Sequence, residues 1–475
     1  MYLGGLDVGS GGCKVTVCDD SGNYIESHYE PYEAEHTGGT HTLDAGLILK
    51  AVEKVISSVS VSLEALGVTS FGESFVLLDE NDRILNRTML YDDPRGDEES
   101  RTFDRDRVES VCCCTPAAMY TLPKLMWMRL HQPEIVEKTS KILLMSDFVV
   151  YFLTGSRVIS YSSAARTMGF DVRKKTWDRD LFAHAGIDIS LMSEPVPDGT
   201  VAGVSDRFGL SGTKIIITMH DQSAAAIGAG ALRAGDAVDG SGSVECFTPI
   251  MSALPENRKC MRAGASFLPY TGGLFAGCAF SYTGGSALRW FRDGFAPGES
   301  YSSLDASVGE DPGNILFLPH LAGAATPYMD LDSKSLVWGM TLSSTKADLY
   351  RALMEGVAYE FRINMDMMSE GGVHPSRILV TGGGGRSRVW NRIKADITGL
   401  PLTAIDVPEV GAAGVIMICA RSMGLVKTLT EAADIFSREG ETFVPDPARK
   451  AFYDEMYEKY KRMYPLTLEL RKKEA

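Results

Sequence analysis

No stretch of about eighteen apolar residues occurs in this 475-residue chain, so nothing in it reads as a membrane-spanning helix. Positive charge is also short. The 47 Lys and Arg stand against 62 Asp and Glu, a net charge of −15. That balance argues against non-specific binding to nucleic acid or to an anionic membrane, while leaving room for a small basic pocket around an anionic cofactor. The opening residues, MYLGGLDVGS, have neither the basic start nor the apolar core of a secretory leader, and a cytoplasmic location is expected. The nine cysteines form no Cys-x-x-Cys pair and have no histidine partners at zinc spacing. Cys112, Cys113 and Cys114 are therefore read as small apolar residues in a reducing compartment. Low-complexity tracts and long charge runs are missing too.

Two familiar phosphate-binding spacings fail in the glycine-rich opening LGGLDVGSGGCK, residues 3–14. Gly9 and Gly11 fit G-x-G-x-x-G, but Lys14 stands where the third glycine belongs. In G-x-x-x-x-G-K-[ST], Cys13 separates Gly12 from Lys14 and Val15 follows. Taken alone, the stretch fits a tight hairpin turn equally well.

The pattern along the chain is strand, turn, strand at the start, then a helix over 44–66 opened by an Asp44 cap. LGVTSF reads as a short strand and SFVLLDENDRIL as a hairpin turning at DEND. Residues 122–155 read as helical with a break at Pro133. TKIIITMHDQSAAAIGAGAL reads as a strand, a polar corner and an Ala-rich helix. The second half restarts with AGDAVDGSGSVECFTPI, another strand, glycine turn and strand. Gly9-Ser10-Gly11 has its echo in Gly240-Ser241-Gly242, or in Gly242-Ser243 with a shifted register. RILVTGGGGRSRVWNRIKADITGLPLTAIDV adds a strand, four glycines, a helix and a strand. The alternation predicts an α/β fold in two domains, 1–230 and 231–475.

Several groups carry candidate chemistry. Turns such as those at 9–12 and 240–243 present consecutive backbone N–H groups to an anion. Asp7 ends the first strand; beside phosphates its natural partner is Mg²⁺, through water, and otherwise it is a turn cap. Lys14 can reach a phosphate as a point charge, or can be a solvated strand residue. Four consecutive glycines, Gly382, Gly383, Gly384 and Gly385, suggest something flat against the backbone, a ribose or adenine, with a floppy turn as the alternative. The strand before His220-Asp221-Gln222 delivers those residues to its C-terminal end, where α/β sheets bind ligands. Asp221 suits a base that accepts a hydroxyl proton during phosphoryl transfer, or a plain helix cap. Glu73, Asp92, Asp93 and Arg95 form a second polar group suited to paired hydroxyls.

Together these stretches resemble the FGGY family of carbohydrate kinases, most closely its xylulokinase-like members, over nearly the whole chain. GLDVGSGGCK resembles the family's D-x-G-[ST]-x-x-x-K hairpin. MYTLPKLMWMRLH at 119–131 resembles its first signature, with Leu130 at a usually polar place. SLVWGMTLSSTKADLYRALME at 335–355 fits the second signature throughout. FLPHLAGAATPYMD resembles F-L-P-Y-L-x-G-E-R-T-P, with Ala324 and Ala325 replacing Glu-Arg. The resemblance implies two actin-like, ribonuclease H-like domains with a cleft between them. It implies ATP and Mg²⁺ as cofactors and a small sugar or polyol as substrate, and leaves a homodimer open. It places the base role on Asp221 and substrate contacts on Gly72, Glu73, Asp93 and Gln222. Mg²⁺ falls to Asp7, and ATP to Gly9, Ser10, Gly11, Lys14, Gly242, Ser243 and Gly382 to Gly385. Xylulokinases usually carry Met-His at 72–73 and Trp-Asn-Asp at 91–93. Glycerol kinases carry Arg-Glu at 72–73, an arginine that Gly72 lacks. The expected reaction is ATP-dependent phosphorylation of a neutral ketose such as xylulose. Alternatives are a glycerol, polyol or sugar-acid kinase, and a non-catalytic sensor on the same fold.

Overall fold

The computed structural model describes residues 1–472. They form two compact units. The first comprises Met1–Leu232, Phe267–Phe275 and Val407–Arg438; the second comprises Arg233–Ser266, Ala276–Asp406 and the chain from Glu439 onward.

A six-stranded sheet organises the first unit, in the order Thr200–Ser205, Thr213–His220, Ala65–Ser70, Tyr2–Val8, Gly12–Asp19, Tyr24–Pro31. Thr213–His220, Ala65–Ser70 and Tyr2–Val8 run parallel, and the other neighbours pair antiparallel. Successive strand residues face opposite sides of a sheet. Leu6, Val8, Leu66, Val68, Ile215 and Ile217 join one core with Ile48 and Val52 of helix Ala45–Ser57 and Phe148 of helix Met145–Thr154. The opposite face carries Gly5 and Gly67, against helix Val410–Ser422. A Cβ on Gly5 would lie 2.9 Å from the Ala412 carbonyl oxygen, and one on Gly67 2.5 Å from Val415 Cγ1. Glycine in a strand here permits close approach of a helix.

Three local readings change. The helix opened by Asp44, whose carboxylate accepts from Gly46 N at 2.7 Å, ends at Ser57; the Ser- and Val-rich residues after it do not continue it. Phe75–Leu78 pairs with Lys141–Leu144 rather than with the chain beyond DEND, to which it makes a single bridge, Leu78 to Ile84. Lys141–Leu144, read as helix, is thus a strand. A four-residue buried apolar run carries no periodicity to tell the two apart.

In the second unit, strands Phe275–Ser281, Glu245–Met251, Asp236–Ser241, Arg377–Thr381, Leu402–Ile405 and Glu439–Phe443 follow in that order. Asp236–Ser241 makes a hairpin with Glu245–Met251 and runs parallel to Arg377–Thr381. The arrangement repeats that of Tyr2–Asp19 with Ala65–Ser70. Helices Lys346–Ser369, Arg388–Thr398 and Pro447–Tyr460 build the core through Leu353, Val357, Trp390, Ile393, Tyr453 and Tyr457. Among the described residues no helix is long and apolar enough to cross a membrane.

Candidate active site

In the first unit, three parallel strands end at one edge of the sheet and deliver Asp7–Gly9, Phe71–Glu73 and His220–Asp221. The register aligns Val8 with Ser70, and Ser70 with His220. Ligands of α/β sheets bind at this end. Asp221 opens helix Asp221–Gly228, with Gln222 half-buried beside it. Its Oδ1 accepts from Gln222 N at 2.6 Å. Burial pushes its pKa up to about 6, while that N–H and the Arg166 cation pull the other way. It is therefore an anion at neutral pH and still close enough to that pH to exchange a proton. His220 is buried, donates its backbone N–H to Ser162 Oγ at 3.0 Å, and has Nδ1 3.3 Å from Asp221 Oδ1. Burial and Arg166 push its pKa down to about 4, so the imidazole is neutral.

Asp7 is raised to about 7 by burial first and then by the charge of Asp221, with Lys14 partly offsetting them. Lys14 is Asp7's cross-strand partner, and its Nζ lies 2.8 Å from Glu409 Oε1, just ahead of helix Val410–Ser422. The turn between is pinned. Gly9 N donates to Gly12 O at 2.9 Å, Tyr32 Oη to Gly9 O at 2.5 Å and Tyr29 Oη to Gly11 O at 3.1 Å. Ser10 and Gly11 are exposed at the tip, where backbone N–H groups can meet phosphate oxygens.

The helix Thr121–His131, within the expected first signature, holds two neighbouring loops. Thr121 Oγ1 donates to the Glu73 carbonyl at 2.6 Å, and Lys124 Nζ to the Asp93 carbonyl at 2.6 Å. The Trp127 ring lies 5.2 Å from the Arg95 guanidinium. Burial works to raise the Asp93 pKa, but hydrogen bonds from Arg95 and from His41 N hold it below the ordinary range. Its Oδ1 accepts from Arg95 N and Nε, and its Oδ2 from Arg95 Nη2 and His41 N, all within 3.0 Å. With four donors on it, this carboxylate shapes the 91–95 loop. Glu73 is buried at φ +65°, and its Oε1 accepts from Arg166 Nε at 2.6 Å. A Cβ on Gly72 would lie 2.9 Å from both Arg166 Cγ and His220 Cδ2.

In the second unit, the hairpin tip Gly242–Ser243 and two glycines of the run, Gly383 and Gly384, line one cavity of about 570 Å³, with Leu288, Tyr301 and Trp390 in its wall; Gly382 and Gly385 are not among its lining residues. That size suits a small-molecule site. Two of the glycines have a different reason from the one expected. A Cβ on Gly382, at φ +80°, would lie 2.6 Å from the Ser241 carbonyl oxygen, and one on Gly384 2.0 Å from Ser241 Oγ. What lies close against them is the hairpin. Gly385 makes only ordinary contacts around Val380, and a Cβ on Gly383 would meet open space, so Gly383 can face a ligand. Beneath the hairpin, buried Lys394 donates to Asp239 Oδ2 at 2.6 Å, to Ser241 Oγ at 3.0 Å and to Glu245. Burial and the charge of Asp239 raise Glu245 to about 8. Sequence reasoning missed Lys394, Glu409 and Arg166, whose partners are 155, 395 and 93 residues away.

Residues 2–228 match the FGGY family of carbohydrate kinases, N-terminal domain, and residues 252–423 match its C-terminal domain. The chain belongs to the FGGY family of carbohydrate kinases. This FGGY kinase is 25% identical to the xylulose kinase of Bacillus subtilis (strain 168), over 99% of this chain and 98% of that one. It is 27% identical to a glycerol kinase of Saccharolobus islandicus, over 96% and 95%. A crystal structure of a xylulose kinase from Brucella ovis shares the fold, with a TM-score of 0.89 at 23% identity, covering 99% of this chain and 100% of that one. The protein is an ATP-dependent carbohydrate kinase that phosphorylates a hydroxyl of a small sugar.

Proposed function

We propose that the substrate is a small neutral ketose or polyol, with xylulose the first candidate, and that Asp221 is the base that accepts the proton of the attacking hydroxyl. The observation that carries this reading is the row of groups at one sheet edge. Asp221 is raised toward neutrality beside Asp7, and the Glu73–Arg166 pair lies next along the edge. Asp7, Asp221, Glu73 and Glu409 outnumber Lys14 and Arg166 there, which disfavours an anionic sugar. Phosphoryl transfer asks mainly for positioning and charge stabilisation, and a single aligned base suffices.

Mg²⁺ fits Asp7. Burial and the Asp221 charge make its carboxylate uncomfortable as a bare anion, and a cation there removes the conflict. Among the described residues no group of three or more His, Cys, Asp or Glu forms a metal cage. A one-carboxylate site completed by waters and phosphates is the usual way Mg²⁺ is held beside a nucleotide. When bound, Mg²⁺ neutralises charge on the phosphates. Backbone N–H groups of Gly9, Ser10 and Gly11 would receive phosphate oxygens, as would those of Gly242 and Ser243. Gly383 in the cavity of the second unit would face the adenosine beside Gly384, with Gly382 and Gly385 supporting the run from behind, against Ser241 and Val380.

ADP release across a panel of ketoses, polyols and sugar acids tests this reading. The highest kcat/KM is expected on a neutral substrate, and a sugar acid in first place would overturn that. Asp221→Asn is expected to lower turnover about 10²–10⁴-fold with ATP binding intact. Unchanged turnover would remove Asp221 from the chemistry.

A further inference from the structure

We infer that Lys394 is a positioning residue of the nucleotide site: with Asp239 and Glu245 it holds the hairpin tip Gly242–Ser243 in register with the glycine run, through a buried set that carries one shared proton and no net charge. The inference rests on the proposed reading that phosphates meet this tip and adenosine meets Gly383. Three observations lead to it.

The first is where the bonds go. Helix Arg388–Thr398 begins just after the glycine run and fastens both walls of the cavity. Asn391 Nδ2 donates to the Gly385 carbonyl at 2.7 Å, and Lys394, almost one turn on, donates to Ser241 Oγ at 3.0 Å. Ser241 is the point where the two walls touch, since its carbonyl closes on Gly382 and its Oγ on Gly384. Its hydroxyl in turn donates to Oε2 of Glu245, its cross-strand partner, at 3.1 Å. A shift of Ser241 therefore moves the tip against the glycines.

The second is burial. The side chains of Lys394, Asp239 and Glu245 are at most 1% exposed. Taking such charges out of water costs as much as their attraction returns, and packed apolar residues would tie helix to sheet as firmly. What apolar residues lack is direction. The three ammonium donors of Lys394 go to three fixed acceptors, on Asp239, Ser241 and Glu245.

The third is the proton. Asp239 Oδ1 is buried with no donor on it among the described residues. Burial and the Asp239 charge hold Glu245 at about 8, against the pull of Lys394. At neutral pH Glu245 is thus a neutral acid, and its proton is the donor that Asp239 Oδ1 lacks. Asp239, on the paired strand, and Lys394, on the helix, are the charged groups that face Glu245; helix Gly285–Phe295 approaches it at Gly284, which has no side chain. At alkaline pH the acid ionises. Two carboxylates then oppose each other at the foot of the hairpin, beneath the place proposed for phosphate.

The test follows ADP binding by calorimetry, together with the ATP and sugar KM values, on the full-length kinase and its best sugar. Asp239→Asn/Glu245→Gln/Lys394→Met, which leaves no charge in the set, is expected to raise the ADP Kd and the ATP KM about tenfold while the sugar KM stays within about twofold. If this variant melts cooperatively and binds ADP as the parent does, Lys394 positions nothing and the inference falls. Equal increases in both KM values also overturn it. Glu245→Gln keeps a neutral donor toward Asp239 and needs no proton, so it decides the question even if the triple variant does not fold. It is expected to match the parent at neutral pH. From pH 7 to pH 9.5 the parent's ADP Kd is expected to rise about threefold or more, and that of Glu245→Gln to stay level. A rise in both proteins, or in neither, overturns the shared proton and with it the inference. Gly383→Trp, whose Cβ meets open space in the cavity, tests the underlying reading separately. ADP bound as tightly by that variant as by the parent would place the nucleotide elsewhere, whatever Lys394 does.

Discussion

At the scale of residues, chemistry concentrates where an apolar strand runs into a polar residue. Asp7 and Asp221 are legible in the sequence for that reason. Asp7 stands one residue before the end of an apolar strand and Asp221 just after one, and the physics of a parallel sheet sends such residues to its binding edge. Arg166 is not legible. It follows a short Ser/Ala stretch with no periodic signal, and its partner Glu73 stands 93 residues away. Arg166 and Asp221 are linked electrostatically, because the Arg166 cation is one of the influences that hold Asp221 down against burial. As the proposed base, Asp221 works as an anion. With its pKa at about 6, kcat/KM for the sugar is expected to fall about tenfold per unit below pH 6 and to be level above it. Removing a cation disfavours the carboxylate, so Arg166→Met is expected to move that limb to higher pH, whereas Arg166→Lys keeps it in place. A pH–rate series on the three proteins checks this, and a limb that stays fixed in Arg166→Met would separate Arg166 from Asp221.

At the scale of elements, the two hairpins and the strand before Asp221 could be read directly, since turn glycines and alternating side chains are local signals. The first signature could be matched, but its physical role lies in contacts with residues 48 and 31 positions away. Thr121, Lys124 and Trp127, spaced along one helix, fasten the Glu73 and Asp93 loops. Helix Val410–Ser422 is another case. Its VGAAGVIMICA core looks like any buried apolar helix, yet its small residues fit helix Asp221–Gly228, which opens at Asp221. A Cβ on Gly414 would lie 1.8 Å from the Ala224 carbonyl oxygen, and one on Gly228 1.9 Å from the Val410 carbonyl oxygen. Backbone cannot yield as a flexible side chain can. Gly414→Ala is therefore expected to destabilise by about 1–3 kcal/mol, with a lower urea midpoint and an unchanged slope. Gly411→Ala, whose Cβ would have 3.6 Å to Asp7 Oδ2, is the matched control. Its stability is expected to hold or rise by up to about 1 kcal/mol, since alanine is the better helix former. Equal midpoints for the two variants would show that the helices can part without loss.

At the scale of the whole molecule, chain order and structural units differ. Local patterns mark a restart near residue 231, but they cannot show that 407–438 returns to the first unit, because the contacts that decide it cross about two hundred residues or more. Arg421 Nη2 meets Asp198 Oδ2 at 2.7 Å, Ser422 Oγ donates to Gly199 O at 2.8 Å, and Ser437 Oγ donates to Gly228 O at 2.9 Å. Lys14 meets Glu409, and the helix between covers the sheet at Gly5 and Gly67. Without this segment the sheet face at Gly5 and Gly67 and the helix surface at Ala224 would stand open to water, an apolar surface of the kind that drives aggregation. A fragment of residues 1–232 is therefore expected to be poorly soluble, to bind a hydrophobic dye and to show no cooperative melt. The same fragment joined through a Gly/Ser linker to 407–438 is expected to recover a cooperative transition. Val415→Asp in the linked segment, which places a charge against Gly67, is expected to abolish that recovery. A soluble, cooperatively folding 1–232 fragment would show that the returning helix is an accessory to this unit rather than part of its core.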